Sequence, residues 1–407
     1  MASSYEAVAS EGRAGAVRRR WVSAALWALA GIAAAILVVA EWRSAAAAGV
    51  GTDLGYFLEA ARRVIHQESI YGASGYVYSP LIAWILAPLA TSSAISTWWA
   101  GVVLAGCVIT IVAMMIVLWR VIESWQRPLL ALVTVVTMLG DAVLDTELKL
   151  GQVDTIVLAV VAVSLLLQRA RLPVVSGAVL ALPAIIKTWP ILFALWLLRK
   201  GADGRWRAVA GFAGAVLIFL VIVLLVDGPH GYTSWFGRTQ SMSSQHFAVW
   251  SALGVGRELF TVTGDFIPIA NLPALATAIG LGLGAYVVLV LALVLWRPGD
   301  AILSLWNVVM ACVLLLPVSH LQYFLLFVPL LWVWAAYAIR DRWRGPALVA
   351  VIAMAARWVM PYLVDVAPVD SRWKYLVIMA VNLIALGVSA VCASRYVERS
   401  IRSLAID

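Results

Sequence analysis

Asp53, Lys187 and His320 are ionisable residues set among apolar ones, and each has a type and a neighbourhood suited to chemistry. Asp53 sits in Gly51-Thr52-Asp53-Leu54-Gly55-Tyr56, just after a long apolar run. A carboxylate there can take a proton from a hydroxyl as a general base. It can also cap the following helix by accepting a backbone N–H, which would fix its orientation. Lys187 lies in Ala184-Ile185-Ile186-Lys187-Thr188-Trp189-Pro190, between two apolar halves. A cation at membrane depth is costly and marks a site unless it snorkels to the interface. As a point charge it suits a phosphate. His320 follows Leu316-Pro317-Val318-Ser319 and precedes Gln322 and Tyr323, a polar group able to bind phosphate or sugar. The plainer role for His320 is a satisfied structural histidine. No second histidine or acid stands at metal-ligand spacing, so no metal is expected.

The stretch from Asp141 to Asp154 carries Asp141, Asp145, Glu147 and Asp154, with Lys149 as its one base. A solvated connector is the default reading. Gln152 and Asp154 nevertheless open an apolar run, where polar side chains cost too much to be incidental. Sugar hydroxyls need such donors and acceptors. With Tyr56, Tyr78 and Gln322 they make the candidate substrate-binding set. No P-loop, GxSxG, HExxH or dinucleotide fingerprint occurs in a strand–turn–helix setting, which argues against a nucleotide-driven reaction.

These residues must be positioned by helices in a bilayer. The chain has 407 residues, 64% hydrophobic and only 12% charged, with a mean hydropathy of +0.97. A soluble domain carries about a quarter charged residues, so this chain lacks the polar surface to coat itself. Apolar runs fall at 21–40, 98–118, 128–144, 152–167, 173–186, 188–198, 208–226, 272–296, 301–317, 321–339, 346–362 and 374–393. Bilayer-spanning backbone must satisfy its own hydrogen bonds, so the expectation is an all-α polytopic membrane protein with about twelve transmembrane helices. The stretch 78–90 is too short to cross and is expected to be re-entrant or interfacial. The expected organisation is a cytoplasmic segment 1–20, one transmembrane catalytic domain 21–393 and a cytoplasmic tail 394–407.

The net charge of +8 does not point to nucleic acid, because the basic residues punctuate the ends of apolar runs as orientation signals do. Arg18–Arg20, Arg120, Arg127, Arg169, Arg171, Arg297 and Arg340 then share the cytoplasmic side, and Asp53, Lys187 and His320 fall toward the other. Arg357 lies inside a run. The first run follows three arginines but exceeds the ~7–15-residue core of a signal peptide. It therefore reads as an uncleaved span, even though Ala45–Ala48 resembles a cleavage region. The three cysteines, Cys107, Cys312 and Cys392, all sit in apolar runs and suit buried packing.

Two longer outer segments are expected, 41–77 and 227–271. In the first, Leu54, Phe57, Leu58, Ala61 and Ile65 share one helical face, so an amphipathic helix along the outer membrane surface is expected. The second carries Gly228-Pro229 and then Trp235, Phe236, His246, Phe247 and Trp250, a pattern of turns and interface aromatics. Gly280 and Gly284 have the GxxxG spacing of close helix packing.

Four segments in this order carry a resemblance: Gly51-Thr52-Asp53-Leu54, Tyr76-Val77-Tyr78-Ser79-Pro80-Leu81, Leu150-Gly151-Gln152-Val153-Asp154 and Ile186-Lys187-Thr188-Trp189-Pro190. The chain resembles the polyprenyl-phosphate-mannose-dependent mannosyltransferases of glycosyltransferase family 87, membrane enzymes of the GT-C fold. The likeness is strongest to actinobacterial members that extend phosphatidylinositol mannosides with α-1,2-linked mannose. Asp154 stands where that family usually has Asn after Gly-Gln-Val.

The resemblance implies a plasma-membrane enzyme with its active site on the extracytoplasmic face. Its donor would be polyprenyl-phosphate mannose, its acceptor a mannosylated glycolipid, and it would need no cofactor. Asp53 would be the base, with Lys187 and His320 on the donor phosphate. One base suffices where glycosidases need two carboxylates, since a phosphate leaves as a stable anion. A lipid-linked-sugar flippase and a same-fold transferase using another polyprenyl-phosphate sugar, such as arabinose, stay open. Nothing in the sequence specifies an oligomer.

Overall fold

A computed structural model describes residues 2–242, 249–264, 266–297, 299–366 and 370–404, so His246 and Phe247 lie outside the described residues. The helices are α1 Ala2–Ala48, α2 Thr52–Ile65, α3 Pro80–Leu86, α4 Ile95–Leu118, α5 Arg127–Leu139, α6 Ala142–Leu150, α7 Asp154–Arg169 and α8 Pro173–Lys187. Beyond a 3-10 segment at Trp189–Leu198 come α9 Arg205–Met242, α10 Gly254–Phe260, α11 Pro273–Trp296 and α12 Ala301–Leu314. A second 3-10 segment, Leu321–Phe327, leads into α13 Val328–Arg340, α14 Gly345–Val366 and α15 Ser371–Leu404. Among the described residues there is no strand.

All twelve apolar runs fall on helical segments, but the segments differ in reach. Among the described residues, seven helices are long and apolar enough to cross a membrane, or eight if the bent pair at Ser124–Leu139 and Ala142–Leu150 is one span. The runs at 173–186, 188–198 and 301–317 form short helices instead. A 15-residue helix such as α8 is about 22 Å long, short of the ~30 Å hydrocarbon core. Pro80–Leu89 is likewise a short apolar helix.

The centre of the bundle is α12 with the span Leu321–Arg340, whose apolar window is wholly buried. Trp306, Trp332 and Trp334 fill it. A buried indole needs a partner for its N–H, and Trp332 donates to Thr137 Oγ1 at 2.7 Å while Trp334 donates to Ser389 Oγ at 2.8 Å. Helices α1, α9 and α11 present much of their apolar surface outward, as spans bathed in lipid do. Gly280 and Gly284 bring α11 against Leu253. The three cysteines are free and buried.

Two further expectations change. The helix α2 forms as read, but Leu54, Phe57, Leu58 and Ala61 are buried against the chain's own residues: Phe57 meets Tyr78 edge-on at 4.7 Å and Trp99 at 5.9 Å. Ile65 alone of that face stays exposed. The segment Asp141–Asp154 is not a solvated connector: it folds as α6, with Asp141 capping it through Val143 N at 2.9 Å and Glu147 fully buried. Gly228-Pro229 breaks α9 as a turn signal does: Gly228 has φ 67° and ψ −171° between two helical segments. The Ala45–Ala48 tract is the last turn of α1, beside Ser44, which donates to Asp145 Oδ1 at 2.8 Å.

Candidate active site

The candidate residues meet where several helix ends converge. Asp53 lies in the first turn of α2, Gln152 between α6 and α7, and Asp154 opens α7. Lys187 ends α8. Gln152 Nε2 donates to Asp53 Oδ2 at 2.5 Å, joining residues 99 apart in sequence. Its carbonyl Oε1 accepts from Lys187 Nζ at 3.1 Å and from Tyr78 OH at 2.8 Å. Lys187 Nζ also donates to Asp154 Oδ1 at 2.6 Å. Gln152 is thus a relay between an acidic group and a basic one.

Two glycines allow this approach. A β-carbon on Gly51 would lie 2.1 Å from the Lys149 carbonyl oxygen and 2.4 Å from the Leu150 carbonyl carbon. A β-carbon on Gly151, which has φ +75°, would lie 2.5 Å from Leu54 Cβ. The start of α2 and the end of α6 therefore touch backbone to backbone, which carries Asp53 to Gln152. Trp99 fixes the turn by donating to Gly151 O at 2.8 Å.

Asp53 does not cap α2. The capping position belongs to Gly51, and no side chain caps the helix. Asp53 is half-buried, and burial holds its carboxyl above the ordinary carboxylate range, with Asp154 adding to the rise and Lys187 and Gln152 opposing it. A carboxyl raised in this way is a better proton acceptor once ionised.

Lys187 is not snorkelling to a surface. Its side chain is 2% exposed and that of Asp154 0%, so the two form a buried ion pair. The ammonium lies 4.5 Å from the Tyr323 ring centre and 5.6 Å from that of Tyr78. Of its three N–H donors, two are engaged, by Asp154 and Gln152. Thr188, next along, has φ 62°, an unfavourable conformation for a β-branched residue. The chain thereby reverses from α8 into the 3-10 segment at Trp189, with Pro190 second in that segment.

His320 joins the cluster through Tyr323: their rings are 5.5 Å apart. Burial lowers its pKa, and the positive charge of Lys187 lowers it further, so near neutral pH the imidazole is a neutral hydrogen-bonding group. Trp250 N donates to Ser319 O at 2.9 Å and ties this turn down. Gln322 is buried in the same turn. Tyr56 is drawn elsewhere, with its ring over Gly75.

Sequence reasoning overlooked Glu147. Its Oε1 accepts from Asp154 N at 2.5 Å and Thr155 N at 3.4 Å, capping α7 while adding a second buried acid beside Lys187. The only sequence signal was its place among acids, where it looked solvated. Arg357, 2% exposed, donates from Nη2 to Phe324 O at 2.6 Å and so holds the turn bearing Tyr323 from behind. Among the described residues no group of three His, Cys, Asp or Glu is arranged to hold a metal ion.

The model of glycosyltransferase family 87 matches residues 76–319, more than half of the chain. The chain belongs to glycosyltransferase family 87. No curated protein matches it. In this membrane glycosyltransferase the matched region holds Tyr78, Glu147, Gln152, Asp154 and Lys187, while Asp53 and His320 flank it on either side. Its central hydrogen-bonded cluster is thus completed by α2, which lies outside the match.

Proposed function

We propose that this family 87 glycosyltransferase moves mannose from polyprenyl-phosphate mannose to a mannosylated phosphatidylinositol glycolipid, forming an α-1,2 linkage with inversion. The reaction would run on the extracytoplasmic face of the plasma membrane, in a GT-C-type fold. The observation that carries this reading is the half-buried Asp53 carboxylate, joined through Gln152 to the buried ammonium of Lys187.

Asp53 takes the proton of the acceptor hydroxyl as its oxygen bonds to the anomeric carbon. The bond from that carbon to the phosphate oxygen breaks, and its electron pair leaves with the polyprenyl phosphate. A β-linked donor then yields an α-mannoside. Charge grows on the departing phosphate, where a positioned cation is worth most. Lys187 offers its third N–H there, and His320 a neutral hydrogen bond. Asp154 keeps Lys187 oriented but shares its charge, consistent with a leaving group that is already an anion. Gln152 and Tyr78 would meet sugar hydroxyls, with Gln322 and Tyr56 further along the substrate path.

The test is purified Asp53→Asn protein supplied with polyprenyl-phosphate mannose and the mannosylated phospholipid. Transfer at the wild-type rate would remove Asp53 as the base. Wild-type protein that moves the lipid across a bilayer without transferring sugar would be a flippase, and one that uses only a polyprenyl-phosphate arabinose would be a different transferase.

A further inference from the structure

The segment that carries Tyr78 into the site, residues 70–79, has one 3-10 turn, Ile70–Gly72, before α3 begins at Pro80. Buried backbone with so little regular structure must find its hydrogen-bond partners elsewhere, and here side chains supply many of them. Tyr71 OH donates to Tyr78 O at 3.2 Å, and Tyr76 OH donates to Ser79 O. Glu59 of α2 accepts from Ser74 N at 3.4 Å and from its hydroxyl at 3.3 Å. From α9, Arg238 Nε and Nη2 donate to Tyr71 O at 3.2 and 3.1 Å, and Nη2 reaches Ala73 O at 3.5 Å. A planar fork of donors suits two carbonyls set so close together.

Arg238 lies beyond the break at Gly228, in the second segment of α9. The rings of Phe219 and Trp235 meet at 6.4 Å across that break, whereas a straight helix would set those two positions about 24 Å apart. Tyr232 OH also donates back to Leu220 O. The second segment therefore folds against the first, which gives Arg238 a fixed base. At the far end of the loop, Tyr78 OH donates to Gln152 Oε1 at 2.8 Å, beside the 3.1 Å bond from Lys187. A primary amide has one accepting end and one donating end. Two donors on Oε1 leave it a single orientation, with Nε2 toward Asp53.

We propose that Arg238 is a positioning residue for the reaction. It holds the carbonyls of Tyr71 and Ala73, Tyr71 holds that of Tyr78, and the Tyr78 hydroxyl keeps the Gln152 amide facing Asp53. A side chain 167 residues from Tyr71 in sequence thus sets the hydrogen bond made to the base, without touching substrate. The effect on rate rests on the transferase reading; the effect on the loop does not.

The experiment uses the full chain in detergent, below the melting temperature of every variant, and reads both amide hydrogen exchange and mannose transfer. Arg238→Met should speed exchange across residues 70–79 about two- to tenfold and lower kcat by a similar factor, the worth of one hydrogen bond. Tyr71→Phe, which leaves α9 untouched, should lower kcat to the same extent. Arg238→Lys, which can still donate to a carbonyl, should regain part of the rate. Because Arg238 acts through the Tyr78 hydroxyl, Arg238→Met should cost little more once Tyr78→Phe is in place. Unchanged exchange at 70–79, equal losses in the Met and Lys variants, or full additivity with Tyr78→Phe would each overturn the proposal. A wild-type protein that transfers no sugar would remove the transferase reading, and exchange at 70–79 would then decide the hold of Arg238 on the loop by itself.

Discussion

Gln152 donates its amide N–H to Asp53 at 2.5 Å and accepts from Lys187 at 3.1 Å, so one neutral side chain couples the carboxylate to the cation. In the proposed reaction Asp53 serves as a base only when ionised, and burial raises its pKa above the ordinary aspartate value. The acid limb of the pH–rate profile should therefore lie above the usual aspartate range. Gln152→Leu removes a hydrogen bond that favours the ionised form, so the limb should move to higher pH. A limb that stays in place would separate Gln152 from the base.

Asp53→Asn should lower kcat by about 10²–10⁴-fold, the usual contribution of a positioned base. Stability should move the other way. A carboxyl whose folded pKa is raised binds more protons folded than unfolded, so above its unfolded value stability falls as pH rises. Replacing it with a neutral amide removes that cost, and the melting temperature near neutral pH should hold or increase. A collapse in melting temperature would show that Asp53 is structural.

Gly151→Ala places a β-carbon 2.5 Å from Leu54 Cβ at φ +75°. The strain should be about 1–3 kcal/mol, and α2 must shift away from Gln152. Activity should fall more than tenfold at a temperature where the protein is still folded. Gly31→Ala, in a position with nothing within 4 Å of the new carbon, should leave both activity and melting unchanged.

Lys187→Met leaves Asp154 and Glu147 buried without their cation. The expected loss is about 3–5 kcal/mol, read as a drop in melting temperature. The double change Lys187→Met with Asp154→Leu should recover part of that loss while remaining inactive. Recovery of activity in the double variant would exclude Lys187 from the reaction.

Arg357 acts at one remove, through Phe324 O at 2.6 Å. Arg357→Met should lower kcat with little change in the KM for the acceptor, because it loosens only the turn bearing Tyr323. Arg357→Lys, which can still donate to that carbonyl, should regain part of the rate. An equal loss in both variants, or a change confined to KM, would remove this positioning role.

The sequence by itself determined the class of protein. An apolar excess at this scale can be stable only in a bilayer, and hydrogen-bond closure then requires helices. It also singled out Asp53, Gln152, Asp154 and Lys187, because polar groups in apolar runs are too costly to be idle. Only tertiary structure decided what those groups do to one another. Glu147 looked solvated in a run of acids and is fully buried. Lys187 read as a snorkelling cation or a phosphate holder and is instead buried against Asp154 at 2.6 Å. Asp53 looked like a cap and is instead a partner of Gln152. Hydropathy and capping signals report a residue's neighbours within a helical turn or two, whereas these contacts join residues 33 and 99 apart. The Asp53–Gln152 contact exists because glycine backbones let α2 and α6 touch, and the Lys187–Asp154 contact because the end of α8 meets the start of α7, facts of packing that local pattern does not carry.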